Sequence, residues 1–108
     1  MEPVLSDALF RALADPTRRA IFERLCRDGE QTVGALTATA GVSQPAVSKH
    51  LAALKQAGLV GDRPAGRQTH YQAQPAALAP LLDWTRGMAG FWEARFDALE
   101  DLLRRMDQ

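Results

Sequence analysis

The sequence predicts a mainly α-helical (α+β) fold, a winged helix-turn-helix with a two-stranded β-hairpin wing and a C-terminal dimerisation helix. Two short helical segments are joined by a turn that contains Gly41, which is the arrangement of a helix-turn-helix. Two strand-like segments follow directly and indicate a hairpin. The last third of the chain repeats apolar residues at a spacing of seven, which is typical of a helix that packs against an apolar partner.

The composition is that of an ordinary folded protein. The 108 residues include 46% hydrophobic and 24% charged side chains, which predicts a single domain over residues 1–108. There is no apolar run of about 18 residues, so neither a transmembrane helix nor a membrane partner is expected. The lack of a signal-peptide pattern and the single cysteine, Cys26, favour a cytoplasmic location.

Positive charge is concentrated in the middle of a chain whose formal net charge is zero. Residues 43–75 have a net charge of +3, whereas residues 1–42 and 76–108 have net charges of −1 and −2. The basic segment contains the second helix of the motif and the hairpin. This distribution favours an anionic partner for that segment, while the zero total argues against strong nonspecific binding to nucleic acid.

The first helix is predicted to begin at Ser6 and to end near Ala14. The Ser6 hydroxyl can accept hydrogen bonds from the first free amides of the helix. Leu5 and Phe10 have the spacing of a hydrophobic staple.

The second helix is marked at both ends. Asp15 is the predicted N-terminal cap, Pro16 lies in the first turn, and the helix is predicted to end at Gly29. Cys26 follows Leu25 on the apolar stripe of this helix, so it is predicted to be a small core residue and not a reactive thiol.

The next segment, "QTVGALTATAGVSQPAVSKHLAALKQAGLV", contains the predicted helix-turn-helix at about residues 33–57. Thr32 can cap the first helix of the motif, and Gly41 permits the tight turn. The second helix of the motif is predicted to start at Ser43 and to end at Gly58.

The second helix of the motif has an outer face that is short and free of acidic groups. Val47, Leu51 and Leu54 share the inner face, and the outer positions are Gln44, Pro45, Ser48, Lys49, Ala52 and Gln56. Such a helix can enter the major groove of DNA, which is about 12 Å wide, and its N-terminal amides favour phosphate. An ordinary solvated helix would show the same face, but the neighbouring elements favour a nucleic-acid interface.

The segments "LVGDRP" and "RQTHYQA" are predicted to form two short strands around a turn at Ala65 and Gly66. The resulting wing spans about residues 59–73. It completes a predicted DNA-binding core over residues 6–73.

Residues 75–106 are predicted to be helical, with one long helix favoured over two helices that break near Gly87 and Gly90. The apolar stripe of this helix needs a partner. We expect a homodimer interface formed by the stripe and the first helix: Leu9, Leu78, Leu81, Met88, Trp92, Phe96, Leu99 and Leu102. An alternative is a pocket for a small apolar ligand at the dimer seam.

Three stretches, "FRALADPTRRAIFERL", "SQPAVSKHLAALKQAGLV" and "GRQTHYQ", together resemble the ArsR/SmtB family of bacterial winged-helix repressors over roughly residues 7–73. The resemblance implies a dimer that binds a palindromic operator in double-stranded DNA and commonly controls its own operon. Thr37 departs from the family pattern, which usually has Ala there. The predicted DNA-binding residues, from the second motif helix and the wing, are Ser43, Gln44, Pro45, Ser48, Lys49, Lys55, Arg63 and Arg67.

Ligands used by metal-sensing members of this family do not occur at the corresponding places. The first helix of the motif has neither Cys nor His, and residues 76–106 have no His. Cys26, His50 and His70 are widely spaced, whereas a zinc or arsenic site needs three or four nitrogen or sulfur ligands. We predict no metal site and no cofactor, and expect His50 to pack or form a hydrogen bond near the helix flank and His70 to meet phosphate or solvent. The sequence does not identify a small-molecule effector.

Two other classes of function are less compatible with the sequence. A winged-helix protein-interaction module would suit the neutral net charge and the apolar tail. An enzyme would need a phosphate-binding glycine loop, a carboxylate pair or a nucleophile beside a base. Ser48 and His50 lie about 200° apart around a helix, so they do not form such a pair, and the sequence predicts no enzymatic activity.

Overall fold

The computed structural model describes residues 7–107. The chain has two compact units: a winged-helix unit, which ends at Leu78 with a short 3-10 turn, Pro75–Leu78, and a second unit that contains the last helix. The elements are α1 Asp7–Ala14, α2 Pro16–Asp28, β1 Gln31–Thr32, α3 Val33–Ala40, α4 Gln44–Gln56, β2 Val60–Ala65, β3 Gln68–Ala73 and α5 Ala79–Met106. The predicted winged helix-turn-helix with a long C-terminal helix is confirmed.

Hydrophobic burial holds the winged-helix unit together. Its core residues come from α1 to α4 and the start of β2: Leu9, Ala12, Ile21, Phe22, Leu25, Leu36, Val47, Leu51, Leu54, Leu59 and Val60. Among residues 7–107, no polar or charged side chain is buried. Removing each large apolar side chain from water contributes roughly 1.5–3 kcal/mol.

The predicted ends of α2 are confirmed. The Asp15 carboxylate accepts a hydrogen bond from the Arg18 amide at 3.0 Å, and this bond holds the pKa of Asp15 below its usual value. Gly29 follows the helix with φ of 81° and donates its amide hydrogen to the Leu25 carbonyl at 3.1 Å. The end of α1 at Ala14 is also as predicted, whereas its predicted cap and staple residue, Ser6 and Leu5, lie outside the described residues.

Two arginines of α2 bind the C-terminal carbonyls of α1. Arg18 donates from Nε to the Ala12 carbonyl at 2.8 Å, and Arg19 donates from Nη1 to the Leu13 carbonyl at 2.7 Å. Carbonyls in the last turn of a helix have no amide partner within the helix. The guanidinium groups therefore satisfy these acceptors and tie α1 to α2.

The sheet has three strands, not the two that were predicted. Gln31 and Thr32 form β1, which pairs with β3 opposite Tyr71 and His70, so β3 lies between β1 and β2. A strand of two residues is too short to show the alternation that identifies strands in a sequence. Antiparallel pairing with β3 stabilises β1.

The predicted hairpin is confirmed, with its turn shifted by one residue. Ala65 pairs with Gln68, so the loop consists of Gly66 and Arg67. Gly66 has φ of 66°, which a tight hairpin loop requires and glycine adopts without strain.

The predicted core position of Cys26 is wrong, because this residue is exposed. Ile21, Phe22 and Leu25 fill the core, and Cys26 lies about 100° further around the helix from Leu25, beyond the edge of the buried stripe. Desolvation, followed by the Glu23 carboxylate, raises the pKa of the thiol. A raised pKa leaves less of the reactive thiolate at neutral pH.

Helix α5 is continuous through Gly87 and Gly90 over 28 residues, so the prediction of one long helix is confirmed. It begins at Ala79, after the 3-10 turn, and not at Pro75 as predicted. None of the described helices, including α5, combines the length and the apolar character needed to cross a membrane.

We predict that Arg18→Ala lowers the free energy of unfolding by about 1–2 kcal/mol, because the Ala12 carbonyl loses a charged hydrogen-bond donor. Urea denaturation followed by circular dichroism at fixed protein concentration measures the change. Arg27→Ala, an exposed position on the same helix, is the control. Equal stability of the two variants would contradict the proposed role of Arg18.

Candidate nucleic-acid interface

Helix α4 is anchored by three residues with no exposed surface. Val47, Leu51 and Leu54 are each 0% exposed, and their spacing places them on one face of the helix. This face packs within the winged-helix unit, where α4 contacts α2, α3 and β2. The burial of one face turns the remaining side chains of α4 outward.

The outer face of α4 is exposed and lacks acidic side chains. Its exposed residues are Gln44, Pro45, Ser48, Lys49, Ala52, Lys55 and Gln56. Short side chains let the helix backbone approach another surface closely, and polar or basic ones can bind base edges or phosphates. The structure thus brings the predicted α4 residues together on one accessible surface.

Ser43 caps this helix as predicted. Its Oγ accepts a hydrogen bond from the Ala46 amide at 3.3 Å, and the first turn contains no acidic residue. The other amides of the first turn have no partner within the helix. Together with the positive end of the helix dipole, they favour an anionic group at this end of α4.

The turn between α3 and α4 is also as predicted. Gly41 adopts the left-handed conformation with φ of 74° and ψ of 9°, which a side chain would disfavour. Thr37, which stands where the ArsR/SmtB pattern usually has Ala, is half-buried. Its hydroxyl donates a hydrogen bond to the Val33 carbonyl at 2.7 Å. The larger residue is accommodated because its polar group is satisfied within α3.

The wing and the start of α4 line a single groove. It has a volume of about 330 Å³ and is lined by Thr32, Val33, Gly34, Gln44, Arg67, Gln68, Thr69 and Tyr71. Gln44 is the first residue of α4, and Arg67 lies in the loop at the wing tip. The fold therefore places two predicted DNA-binding residues, 23 positions apart in the sequence, at one concave surface.

Two of the predicted DNA-binding cations are bound to carboxylates. Arg63 donates to both Glu30 oxygens, from Nη2 at 2.6 Å and from Nε at 3.2 Å. Lys55 Nζ lies 2.9 Å from Asp62 Oδ2. The hydrogen bond from Arg63 lowers the pKa of Glu30, and the hydrogen bond with Asp62 raises the pKa of Lys55.

The other two predicted cations, Lys49 and Arg67, form no ion pair with any residue of the segment 7–107. They are exposed on α4 and at the wing tip. The sequence did not distinguish these two from the paired cations, because Glu30 lies 33 residues from Arg63, and because Asp62, seven residues from Lys55, belongs to a different element. Fewer cations are thus available to an anionic partner than the number of basic residues in the sequence indicates.

The two histidines lie in different surroundings. His70 Nδ1 is 3.7 Å from Glu30 Oε1, and 29% of the His70 side chain is exposed, so its predicted contact with phosphate stays a prediction. His50 is half-buried, and its buried Nδ1 has no hydrogen-bond partner among the described residues. Within residues 7–107, no three His, Cys, Asp or Glu side chains are grouped to hold a metal ion.

Helix α5 exposes many large apolar side chains. Leu82, Trp84, Met88, Phe91, Trp92, Phe96, Leu99, Leu102, Leu103 and Met106 are between 42% and 71% exposed in the single chain. Among the residues predicted to form the dimer interface, Leu78 and Leu81 are half-buried. Leu9 is already buried in the core of the winged-helix unit, with 4% of its surface exposed, so it offers little area to a second subunit.

One cation interrupts the apolar stripe of α5. The Arg95 guanidinium carbon lies 4.4 Å from the centre of the Phe91 ring and 5.6 Å from that of Trp92. The negative faces of aromatic rings attract such a cation. Arg95 therefore covers aromatic surface with its own side chain and remains compatible with the stripe.

Comparison with known proteins reveals close relatives of this chain. A helix-turn-helix domain family matches residues 13–61. An HTH-type transcriptional regulator of Mycobacterium tuberculosis is 52% identical over 90 residues, which cover 79% of this chain and 83% of that protein. The arsenical resistance operon repressor of Escherichia coli is 41% identical over 86 residues, which cover 77% of this chain and 74% of the repressor.

Solved structures share the same fold. The ArsR-like transcriptional regulator from Rhodococcus sp. RHA1 superposes with a TM-score of 0.69 at 32% identity, over 88% of this chain and 89% of that one. Another ArsR family transcriptional regulator gives a TM-score of 0.73 at 28% identity, over 84% of this chain and 97% of the other. The chain therefore belongs to the ArsR/SmtB family of winged helix-turn-helix transcriptional regulators, which bind DNA and are not enzymes.

Proposed function

We propose that this protein is a dimeric transcriptional repressor that binds a palindromic operator in double-stranded DNA through α4 and controls its own gene. The observation that carries the proposal is the outer face of α4, which is exposed, short and free of acidic groups. Three fully buried residues on the opposite face hold it in place. Such a face can enter the major groove without charge repulsion.

The first half of α4 supplies the contacts to bases. Gln44 can form two hydrogen bonds with adenine, and Lys49 can donate to guanine or to phosphate. Ser48 and Pro45 are exposed beside them and are small enough to permit close approach. Ser43 contributes through the capped helix end, whose free amides favour a phosphate group.

The wing supplies contacts to the DNA backbone, with Arg67 as the principal cation. Its position at the groove that Gln44 also lines supports simultaneous contact by the wing tip and the start of α4. Lys55 and Arg63 contribute less, because each is already bound to a carboxylate. Backbone contacts of this kind position the protein, and base contacts specify the sequence.

The apolar stripe of α5 forms the homodimer interface in this proposal. The helix is about 42 Å long, and large apolar surfaces of this kind mark interaction sites. The interface residues on or next to α5 are Leu78, Leu81, Met88, Trp92, Phe96, Leu99 and Leu102. A twofold symmetric dimer can present two copies of α4 to successive major grooves, about 34 Å apart.

The aromatic cluster of α5 favours a second use of the same helix, the binding of a small apolar effector. The Trp92 ring centre lies 5.9 Å from that of Phe91 and 6.3 Å from that of Phe96. Aromatic side chains at such distances pack favourably and can line an apolar ligand site. A stable monomer with an exposed α5 would instead favour a protein-interaction module.

We predict that Lys49→Gln weakens binding to a duplex from the region upstream of the protein's own gene by at least about fivefold, through the loss of a base or phosphate contact. Fluorescence anisotropy at constant salt measures the affinity. Arg27→Gln removes the same charge from an exposed position on α2 and should bind as the wild type does. An equal loss of DNA affinity in both variants would show that binding depends only on the net charge of the protein.

The count of unpaired cations predicts the salt dependence of binding. With Lys49 and Arg67 available in each subunit, a dimer neutralises four phosphates, and log K should fall against log salt concentration with a slope of about −3.6. Contact by all four predicted cations would give a slope of about −7. Anisotropy titrations at several salt concentrations measure the slope. Binding that is insensitive to salt would contradict the proposed interface.

We predict that Leu99→Asp converts the dimer to a monomer, because a carboxylate in an apolar seam is left without a partner. Ala94→Asp is the matched control, since residue 94 lies about 200° from Trp92 around the helix, opposite the stripe. Size-exclusion chromatography with light scattering measures the mass. Dimers of both variants, or a monomeric wild type, would contradict the α5 interface.

A further inference from the structure

The short strand β1 brings a carboxylate to the wing. Glu30 directly precedes β1, whose Thr32 lies opposite His70 of β3. Arg63 of β2 lies opposite His70 from the other side. This register places Glu30 within hydrogen-bond distance of Arg63, and its Oε1 also lies 3.7 Å from His70 Nδ1.

The Glu30–Arg63 contact has the geometry with which guanidinium groups also bind phosphate. Two nitrogens of Arg63 donate to the two oxygens of Glu30, and this parallel pair of bonds suits carboxylate and phosphate equally. The side chains remain 54% and 34% exposed. An exposed ion pair is weak, so a phosphate can displace the carboxylate.

The contact is separate from the other ion pair of the wing. Neighbouring residues of a strand point to opposite faces of the sheet. Asp62 points to the face on which Lys55 of α4 binds it, and Arg63 therefore points to the other face. Loss of the Glu30 charge leaves the Lys55–Asp62 pair in place.

We propose that Glu30 competes with the DNA backbone for the guanidinium group of Arg63 and thereby limits the contribution of the wing to DNA affinity. In the free protein the carboxylate occupies the position that a phosphate would take. Arg63 reaches DNA only at the cost of this pair. The inference rests on the proposed DNA-binding function and adds to it a residue that sets the affinity.

The experiment compares Glu30→Gln with the wild type on two duplexes of about 30 base pairs, a length that spans two half-sites one helical turn apart. One has a mixed sequence, and the other comes from the region upstream of the protein's own gene. We expect binding about three- to fivefold tighter at low salt. The slope of log K against log salt should steepen by about 1.8 for a dimer, because one more phosphate is neutralised per subunit.

Three further variants isolate the effect. Glu23→Gln removes the same charge from an exposed position on α2 and should match the wild type. Arg63→Gln alone should weaken binding and not tighten it, because the Glu30 carboxylate is then left unpaired and repels phosphate. Glu30→Gln combined with Arg63→Gln should lose the gain in affinity and the steeper slope. Circular dichroism confirms that each variant is folded.

The outcomes separate this inference from the proposed function. Wild-type protein that binds neither duplex overturns the proposed function, and the inference with it. Wild-type binding with an unchanged Glu30→Gln variant overturns the inference alone. Weaker binding by Glu30→Gln also overturns it, because Glu30 would then orient Arg63 toward DNA and not compete for it.

Discussion

The complete burial of Val47, Leu51 and Leu54 is the constraint on which the candidate interface depends. These residues are 0% exposed, and they fix the rotation of α4 about its axis, since any other rotation would bring polar side chains into the core. The outer face is then determined by helical geometry alone. A surface that must fit a groove of fixed width benefits from such rigid support, because small rotations would displace every contact at once.

The candidate interface has few cations available for DNA, in a protein whose formal net charge is zero. Of four basic side chains near the interface, Arg63 and Lys55 are held by Glu30 and Asp62. Binding to nonspecific DNA depends almost entirely on phosphate neutralisation. A small number of available cations therefore lowers nonspecific affinity more than it lowers contacts to bases, which favours discrimination between sequences.

Helix α5 and Cys26 show two limits of pattern analysis. The apolar stripe of α5 was recognised from its spacing, yet none of its residues is buried in the single chain. Such a stripe indicates that an apolar partner is needed but does not identify that partner. Cys26 was assigned to the core by the same kind of pattern and is exposed. A stripe defines the centre of a buried face better than its edges, where the neighbouring elements decide which side chains are covered.

The local features of this protein could be predicted from the amino-acid sequence. The caps Asp15 and Ser43, the turn at Gly41 and the outer face of α4 were all predicted, because each depends on residues within a few positions of one another. The third strand and the contact between Glu30 and Arg63, which are 33 residues apart, became visible only in the folded chain. Such pairings depend on the register of the folded sheet, which aligns residues from distant segments and leaves no periodic signal in the sequence.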